Sequence, residues 1–342
     1  MTRWYTDGPA AWALAQTDAL IFGAAFFGSV ILCVPVIGVL RKLSFGKQAY
    51  EDAPKTHAVK TGTPTMGGVV FALALLPLAA YFAWAQPDSG TAQQVFEIAL
   101  LGLACGAIGF SDDLLGVRRG RNRGLDGRTK LVLTMIVAGL FLVAIRPHVY
   151  QTEGSIPDWL GSMPSWMWYA LAFVALVGTT HAVNLTDGLD GLAAGTIVPP
   201  LAVFASIAIF DGYAGVAAVD LATLGAALGF LVYNRYPARL FMGDTGSLFL
   251  GGILAGSAIV LQHVLLLPLV GAVFAAEALS VIVQVAYFKR TRKRIFKMSP
   301  LHHHFELSGW SETKVTHWFW AASALCSVAG AATLYAARGS VP

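Results

Sequence analysis

The stretch GDTGSLFLGGILAGSAIVLQH, Gly243–His263, decides the fold. A polar cluster, Gly243-Asp244-Thr245-Gly246, opens directly into an apolar run that carries no charge. Three further clusters sit beside long apolar segments: Ser111-Asp112-Asp113, Asn184-Leu185-Thr186-Asp187-Gly188-Leu189-Asp190-Gly191, and His302-His303-His304. Ionisable groups at membrane depth are costly, so five carboxylates and three imidazoles converging on one interface point to a reaction site rather than to packing.

Composition agrees with a membrane reading. Of 342 residues, 56% are apolar and 12% charged, and the mean hydropathy of +0.65 describes a multi-span helical protein rather than a soluble domain. A span needs roughly 20 apolar residues. Ten segments qualify, at about 19–40, 66–86, 95–111, 130–146, 166–183, 192–210, 216–233, 247–263, 265–288 and 316–337. Only a tight turn near Gln262-His263 separates the eighth from the ninth. The first segment lies too far from the N-terminus and lacks a small-residue cleavage site, so it reads as a span and not as a removed signal peptide. No repeat or low-complexity linker divides the chain, and residues 1–342 are expected to form a single polytopic all-α membrane domain.

Lys and Arg collect in short cytoplasmic loops. Arg41, Lys42, Lys47, Lys55 and Lys60 fall in the first loop on one side, and Arg118, Arg119, Arg121, Arg123, Arg128 and Lys130 in the second. Arg235 and Arg239 follow, then Lys289, Arg290, Arg292, Lys293, Arg294, Lys297 and Lys314. Only Arg3, Arg146 and Arg338 of the 23 basic residues remain for the other side. Both termini are therefore expected outside the cytoplasm, with all four polar clusters on the cytoplasmic face. The net charge of +4 averages over this polarity, and the basic loops suit an anionic, phosphate-bearing substrate and anionic lipid head groups. Nucleic-acid binding is disfavoured, because no soluble domain carries the charge. Cys33, Cys105 and Cys326 lie inside spans without metal-ligand spacing and read as small apolar residues. On the outer side, residues 147–165 are long enough for a small hairpin or an interfacial helix.

Asp112 and Asp113 close the third span as read from hydropathy. Neighbours on a helix point about 100° apart, so the two carboxylates are unlike in role. A hydrated helix end paired with Arg118 or Arg119 is the plainer alternative. Asp187 and Asp190 would share a helical face, and no basic residue stands between Arg146 and Arg235 to neutralise them. A metal, a sugar or base, or cations from another loop must supply their partners. Asp244 either caps the eighth span with Thr245 and Ser247 or serves as a divalent-metal carboxylate, with Asn234 and Phe241 lining the same cavity. Three consecutive imidazoles cannot all reach one metal from regular structure, so His302, His303 and His304 fit oxygen-rich ligands better than zinc. Glu277, in the ninth span, is the one embedded acid of this reading. It is either a helix-to-helix hydrogen bond or an argument for a secondary transporter, although a transporter site belongs near the bilayer midplane.

Beyond chemistry alone, the sequence resembles the phospho-N-acetylmuramoyl-pentapeptide-transferase family, within the superfamily of polyprenyl-phosphate N-acetylhexosamine-1-phosphate transferases. The matching stretches are Thr63-Pro64-Thr65-Met66-Gly67-Gly68, Asp112-Asp113, Asn184 to Gly191, Asn234 to Ser247, and Pro300 to Glu306 with Gly309-Trp310 and Lys314-Val315. The resemblance implies transfer of phospho-MurNAc-pentapeptide from UDP-MurNAc-pentapeptide to undecaprenyl phosphate in a bacterial cytoplasmic membrane, yielding lipid I and UMP, with Mg²⁺ as cofactor and a homodimer as the assembly. It assigns Asp244 and Asp187 to the metal, Asp112 to a base toward the lipid phosphate, and Asp113 to support. Asn184, Asp187, Asp190, Asn234 and Phe241 fall to nucleotide, sugar or metal binding; Lys60, Thr65 and Lys130 to phosphates or uracil; the His triplet to phosphate or sugar. A covalent route through Asp244 is the mechanistic alternative. Related GlcNAc- or GalNAc-phosphate transferases and a polyprenyl-pyrophosphate phosphatase are the nearest chemical rivals.

Overall fold

The computed structural model describes residues 9–43, 62–85, 89–119, 124–149, 155–158 and 161–339. Its helices in chain order are α1 (Pro9–Lys42), α2 (Val69–Ala85), α3 (Gly90–Arg118), α4 (Gly127–Val149), α5 (Ser165–Thr186), α6 (Leu192–Thr196), α7 (Val198–Asp211), α8 (Ala214–Asn234), α9 (Gly243–Val260), α10 (Leu267–Val270), α11 (Ala272–Thr291), α12 (Leu301–Glu306) and α13 (Glu312–Gly339). Apolar runs in lipid must satisfy every backbone N–H and C=O internally, which leaves the helix as the available form. Hydroxyls within the runs obey the same demand: Thr180 donates to the Leu176 carbonyl at 2.7 Å and Thr223 to that of Val219 at 2.8 Å. Among the described residues nine helical segments are long and apolar enough to cross a membrane, and the 17-residue α2 is a shorter apolar helix.

Several boundaries differ from those read in the sequence. The third span was expected to end at residue 111, but α3 continues to Arg118, so Asp112 and Asp113 lie inside a helix. Hydropathy marks where the apolar run stops, whereas the helix persists through Leu114 and Leu115. The sixth segment divides into α6 and α7 at Ile197, because Pro199 and Pro200 are tolerated only in a first turn. The ninth divides likewise, into a 3₁₀ turn at Val264–Leu266, α10, and α11 beyond Gly271. Within 147–165 the chain forms a hairpin, β1 (Ser155–Asp158) against β2 (Gly161–Pro164), antiparallel with Ser155 opposite Pro164. Glu277 is not the one embedded acid. Asp220 of α8 is also fully buried, and accepts a hydrogen bond of 2.5 Å from Ser257 of α9.

α9 is the central post. Every residue in it is buried except Asp244. α3 runs antiparallel along it through a seam of small residues: Cβ atoms at Gly102 and Gly106 would crowd Ile253 and Phe249, and one at Gly109 would overlap the Asp244 carbonyl. Gly252 and Gly256, a small-residue pair in the sequence, meet Cys105 and Leu101 of α3, so the pair packs within the chain. α1 lies parallel to α8, with Phe22 and Phe26 carbonyls beside Gly225 and Gly229, and the Ser29 hydroxyl donates to the Ala226 carbonyl at 2.9 Å. Because α8 ends and α13 begins beside Asp190 and Gly191, α1 starts and α13 finishes at the opposite end of the bundle.

The seam makes a direct prediction. Gly109→Ala forces backbone apart at the α3–α9 contact and should lower stability by about 1–3 kcal/mol. Gly139→Ala, where a Cβ meets nothing within 4 Å, should be neutral or stabilising by up to ~1 kcal/mol. Thermal unfolding midpoints of the purified variants in one detergent check both; equal behaviour would refute the seam.

Candidate active site

Helix ends assemble the site. The N-terminus of α9 presents unpaired backbone N–H groups, and Met242 before it offers no side-chain cap. Asp113 of α3 supplies one from across the seam. Its carboxylate accepts from the Asp244 N–H at 3.2 Å, the Thr245 N–H at 2.9 Å and the Thr245 hydroxyl at 2.6 Å. The cap that sequence attributed to Asp244, Thr245 and Ser247 thus comes from another helix. Asp244 is freed to face outward.

Asp112, one residue away, points elsewhere, as the 100° offset requires. Its Oδ1 accepts from the Leu125 N–H at 2.8 Å, and the ammonium of Lys130 lies 3.4 Å from the same oxygen. Lys130 also donates to Asp244 Oδ2 at 2.8 Å. It is the lysine of the first turn of α4, a turn capped by Asp126, which accepts from the Thr129 N–H at 3.3 Å and from the Thr129 hydroxyl. The hydrogen bond from Thr129 holds the exposed Asp126 carboxyl below its usual range. Among the described residues Arg118 and Arg119 do not pair with Asp112 and Asp113, whose partners include Lys130, Leu125 and the α9 turn.

One oxygen from each of Asp112, Asp113 and Asp244 lies within 4.8 Å of the others. Three hard oxygen donors this close together could hold a divalent cation, and the Lys130 ammonium balances two of them. Asp187 is outside this trio. Thr65 stands at its edge. The 63–68 loop is laced to the segment before α9, with Phe241 N–H donating to the Pro64 carbonyl and Gly67 N–H to that of Phe241, both at 2.8 Å. Gly68 meets the backbone of Gly246 directly, a contact that admits no side chain on either. The buried Thr65 hydroxyl, near Gly243 and Asp113, has no hydrogen-bond partner among the described residues. Lys60 lies outside the described residues.

The remaining residues divide between lining and bracing. Asn184, at the end of α5, donates to the Ser247 hydroxyl at 2.9 Å, tying the 184–191 segment to α9. The chain leaves the helix at Asp187, so Asp187 and Asp190 do not share a helical face. Asp190 turns inward and accepts from the Ala238 N–H at 2.9 Å. Asn234 is equally committed: its Oδ1 accepts from the Gly191 N–H at 3.1 Å and its Nδ2 donates to the Leu240 carbonyl at 2.9 Å. Phe241 is half-buried in the segment just before α9.

The three imidazoles take different polar partners, although the His302 and His303 rings lie against each other with centroids 4.1 Å apart. His302 is buried under Gly188, and its backbone N–H and Nδ1 lie 3.1 and 3.2 Å from Glu277 Oε1. His303 Nδ1 lies 2.8 Å from Glu306 Oε2. His304 Nδ1 accepts from the Lys297 N–H at 3.1 Å, shaping the basic loop. Glu277 is therefore the anchor of the His segment, which removes its value as a transporter signature. Sequence reading also passed over Gln284, whose Oε1 accepts from Ile295 and Phe296, and Glu312, which accepts from the Asp190 N–H at 2.7 Å. A lone amide or acid beside a basic loop was the available signal.

The model of the glycosyl transferase family 4 matches residues 95–262 of this helical bundle. That range holds the acids, Lys130 and Asn234 but stops short of the His segment. Full-length relatives extend the match. The chain is 42% identical over 318 residues to a protein of Geobacillus kaustophilus (strain HTA426), covering 92% of this chain and 97% of the relative. It is 46% identical over 297 residues to one of Halalkalibacterium halodurans, covering 86% and 91%, and 44% identical over 318 residues to one of Bacillus mycoides (strain KBAB4), covering 93% and 98%. Each relative is named phospho-N-acetylmuramoyl-pentapeptide-transferase. The chain belongs to the phospho-N-acetylmuramoyl-pentapeptide-transferase family.

The Glu277 anchor is open to test. Glu277→Leu leaves the buried His302 N–H without an acceptor and should cost about 1–3 kcal/mol, whereas Glu277→Gln, which keeps an acceptor, should cost less. Thermal midpoints in detergent distinguish the two; equal midpoints would remove the anchoring role.

Proposed function

We propose that the protein transfers phospho-MurNAc-pentapeptide from UDP-MurNAc-pentapeptide to undecaprenyl phosphate, forming lipid I and releasing UMP in peptidoglycan synthesis. The observation that carries the reading is Lys130 held between Asp112 and Asp244 at the end of the α3–α9 seam, where two anionic substrates can meet. An oxygen of the lipid phosphate attacks the sugar-bearing phosphorus, the bond from that phosphorus to the UMP oxygen breaks, and UMP departs as the anion. Such transfer depends on positioning and charge neutralisation more than on covalent chemistry. Lys130 offsets phosphate charge, and Asp112 takes the proton from any acceptor that arrives protonated. Asp113 fixes both neighbours by capping α9. Asp244, with Asp112 beside it, would hold Mg²⁺, which when bound polarises the pyrophosphate. Asn184, Asp187 and Phe241 face the nucleotide and sugar, with Thr65 and Lys60 toward phosphates or uracil, and His303 toward the sugar or its phosphate. Asp190, Asn234, His302 and His304 serve the same pocket by holding its loops.

The same reading places the protein in the bacterial cytoplasmic membrane as a ten-span homodimer, α2 being the tenth span, with both termini outside and the acids facing the cytoplasm. The asymmetry of Lys and Arg supports that orientation. Cysteines at Ser155 and Lys297 give its check: the first should react with an impermeant thiol reagent on intact cells and the second should not, and the reverse pattern would invert the topology.

Incubating the purified protein with Mg²⁺, undecaprenyl phosphate and either UDP-MurNAc-pentapeptide or UDP-GlcNAc tests the reaction itself. UMP release and a lipid-linked product are expected with the muramoyl substrate alone. Product from UDP-GlcNAc alone would transfer the protein to the hexosamine branch of the superfamily.

A further inference from the structure

A cavity of about 700 Å³ opens between the end of α8, the 235–239 loop and the start of α13. None of Asp112, Asp113, Lys130 or Asp244 lines it. Its wall changes character along the bundle axis. Leu228, Leu231 and Val232 of α8 form an apolar side, and beyond the helix end Arg235 and Arg239 stand at the rim opposite His317. Both guanidiniums are exposed, and among the described residues neither has a carboxylate within ion-pair distance. Arg239 is instead steadied over the Tyr233 ring, 5.6 Å from its centroid. Asp190 is the carboxylate in the lining, and its Oδ2 is directed to the Ala238 N–H. The rim is held in place: Arg239 N–H donates to the Tyr233 carbonyl at 2.8 Å, and across the cavity Trp320 Nε1 donates to the Gly191 carbonyl at 3.1 Å.

A preformed cavity with paired cations at one end and aliphatic side chains at the other matches an amphiphilic anion. A free phosphate would satisfy the arginines and leave the α8 wall wet. Because the arginines follow the last turn of a membrane-crossing helix, they stand at head-group level, where anionic lipids and basic side chains attract. We propose that this cavity binds an anionic glycerophospholipid, its phosphate between Arg235 and Arg239 and the upper part of an acyl chain against Leu228, Leu231 and Val232. The site is separate from the catalytic acids and does not rest on the reaction proposed above.

The test uses the full-length protein, delipidated in a non-ionic detergent and titrated with phosphatidylglycerol or phosphatidylcholine while bound lipids are counted by native mass spectrometry. Wild type should retain one tightly bound phosphatidylglycerol per chain in preference to phosphatidylcholine. Arg235→Gln/Arg239→Gln should weaken that lipid by about tenfold or more, since each interfacial cation contributes on the order of 1 kcal/mol. Thr313→Trp fills the cavity from α13 with both arginines intact and should abolish the same binding event, so the proposal stays testable if the double variant folds poorly. Arg290→Gln/Lys293→Gln, in the last turn of α11 and the basic loop after it, should leave it unchanged. Undiminished binding in both cavity variants would overturn the proposal. So would displacement of the lipid by inorganic phosphate or glycerol 3-phosphate at equal concentration, which would make the site one for a free anion.

Discussion

The buried N-terminus of α9 has to be capped, and the cap comes from Asp113 on another helix. A helix start carries partial positive charge and unpaired N–H groups, and inside a membrane protein few waters are at hand to serve them. Three donors from Asp244 and Thr245 meet one carboxylate, an arrangement whose capping component alone is typically worth 0.5–2 kcal/mol. This contact fixes the register of α3 on α9. With that register set, Asp112 points 100° away toward α4, and Asp244 is left as the single unburied residue of the central helix. Lys130 then finds both acids within reach. The site is therefore a by-product of how two membrane helices solve a capping problem at a glycine seam.

Around this centre, the other polar residues form successive braces. Asn184 ties the 184–191 segment to Ser247, Asp190 and Asn234 tie it to the 235–240 loop, and Glu312 reaches the same segment from α13. Glu277 carries His302 beneath Gly188. Each of these polar segments is thus hydrogen-bonded to at least one helix other than its own. Rigid support of this kind suits phosphoryl transfer, in which geometry supplies much of the catalysis.

Much of this was legible in the sequence, for identifiable reasons. Apolar runs of membrane length located the helices, although α1 starts about ten residues before its expected segment and α3 ends seven residues beyond it. The polar clusters stood out because charge is rare in such a chain. What stayed hidden was pairing across helices. Nothing local in Ser111-Asp112-Asp113 reveals that Asp113 caps a helix starting 130 residues later, or that Lys130 bridges its neighbour to Asp244. Hydropathy misplaced the end of α3, since it measures the membrane and not the helix. The His triplet reads as one motif but is used as three separate contacts, because successive residues of α12 face different walls. Glu277 looked like an isolated membrane acid until its partner, 25 residues on, came into view.

The claim most exposed to refutation is that Asp244, held out of the core by the Asp113 cap, supports the divalent cation on which transfer depends. Lipid I formation measured against Mg²⁺ concentration for wild type and Asp244→Asn tests it directly. The amide keeps the size of the side chain and loses the charge that holds a hard cation. Turnover should fall by more than ~100-fold, with the Mg²⁺ dependence largely lost. A variant with near-normal rate and an unchanged Mg²⁺ titration would contradict the account.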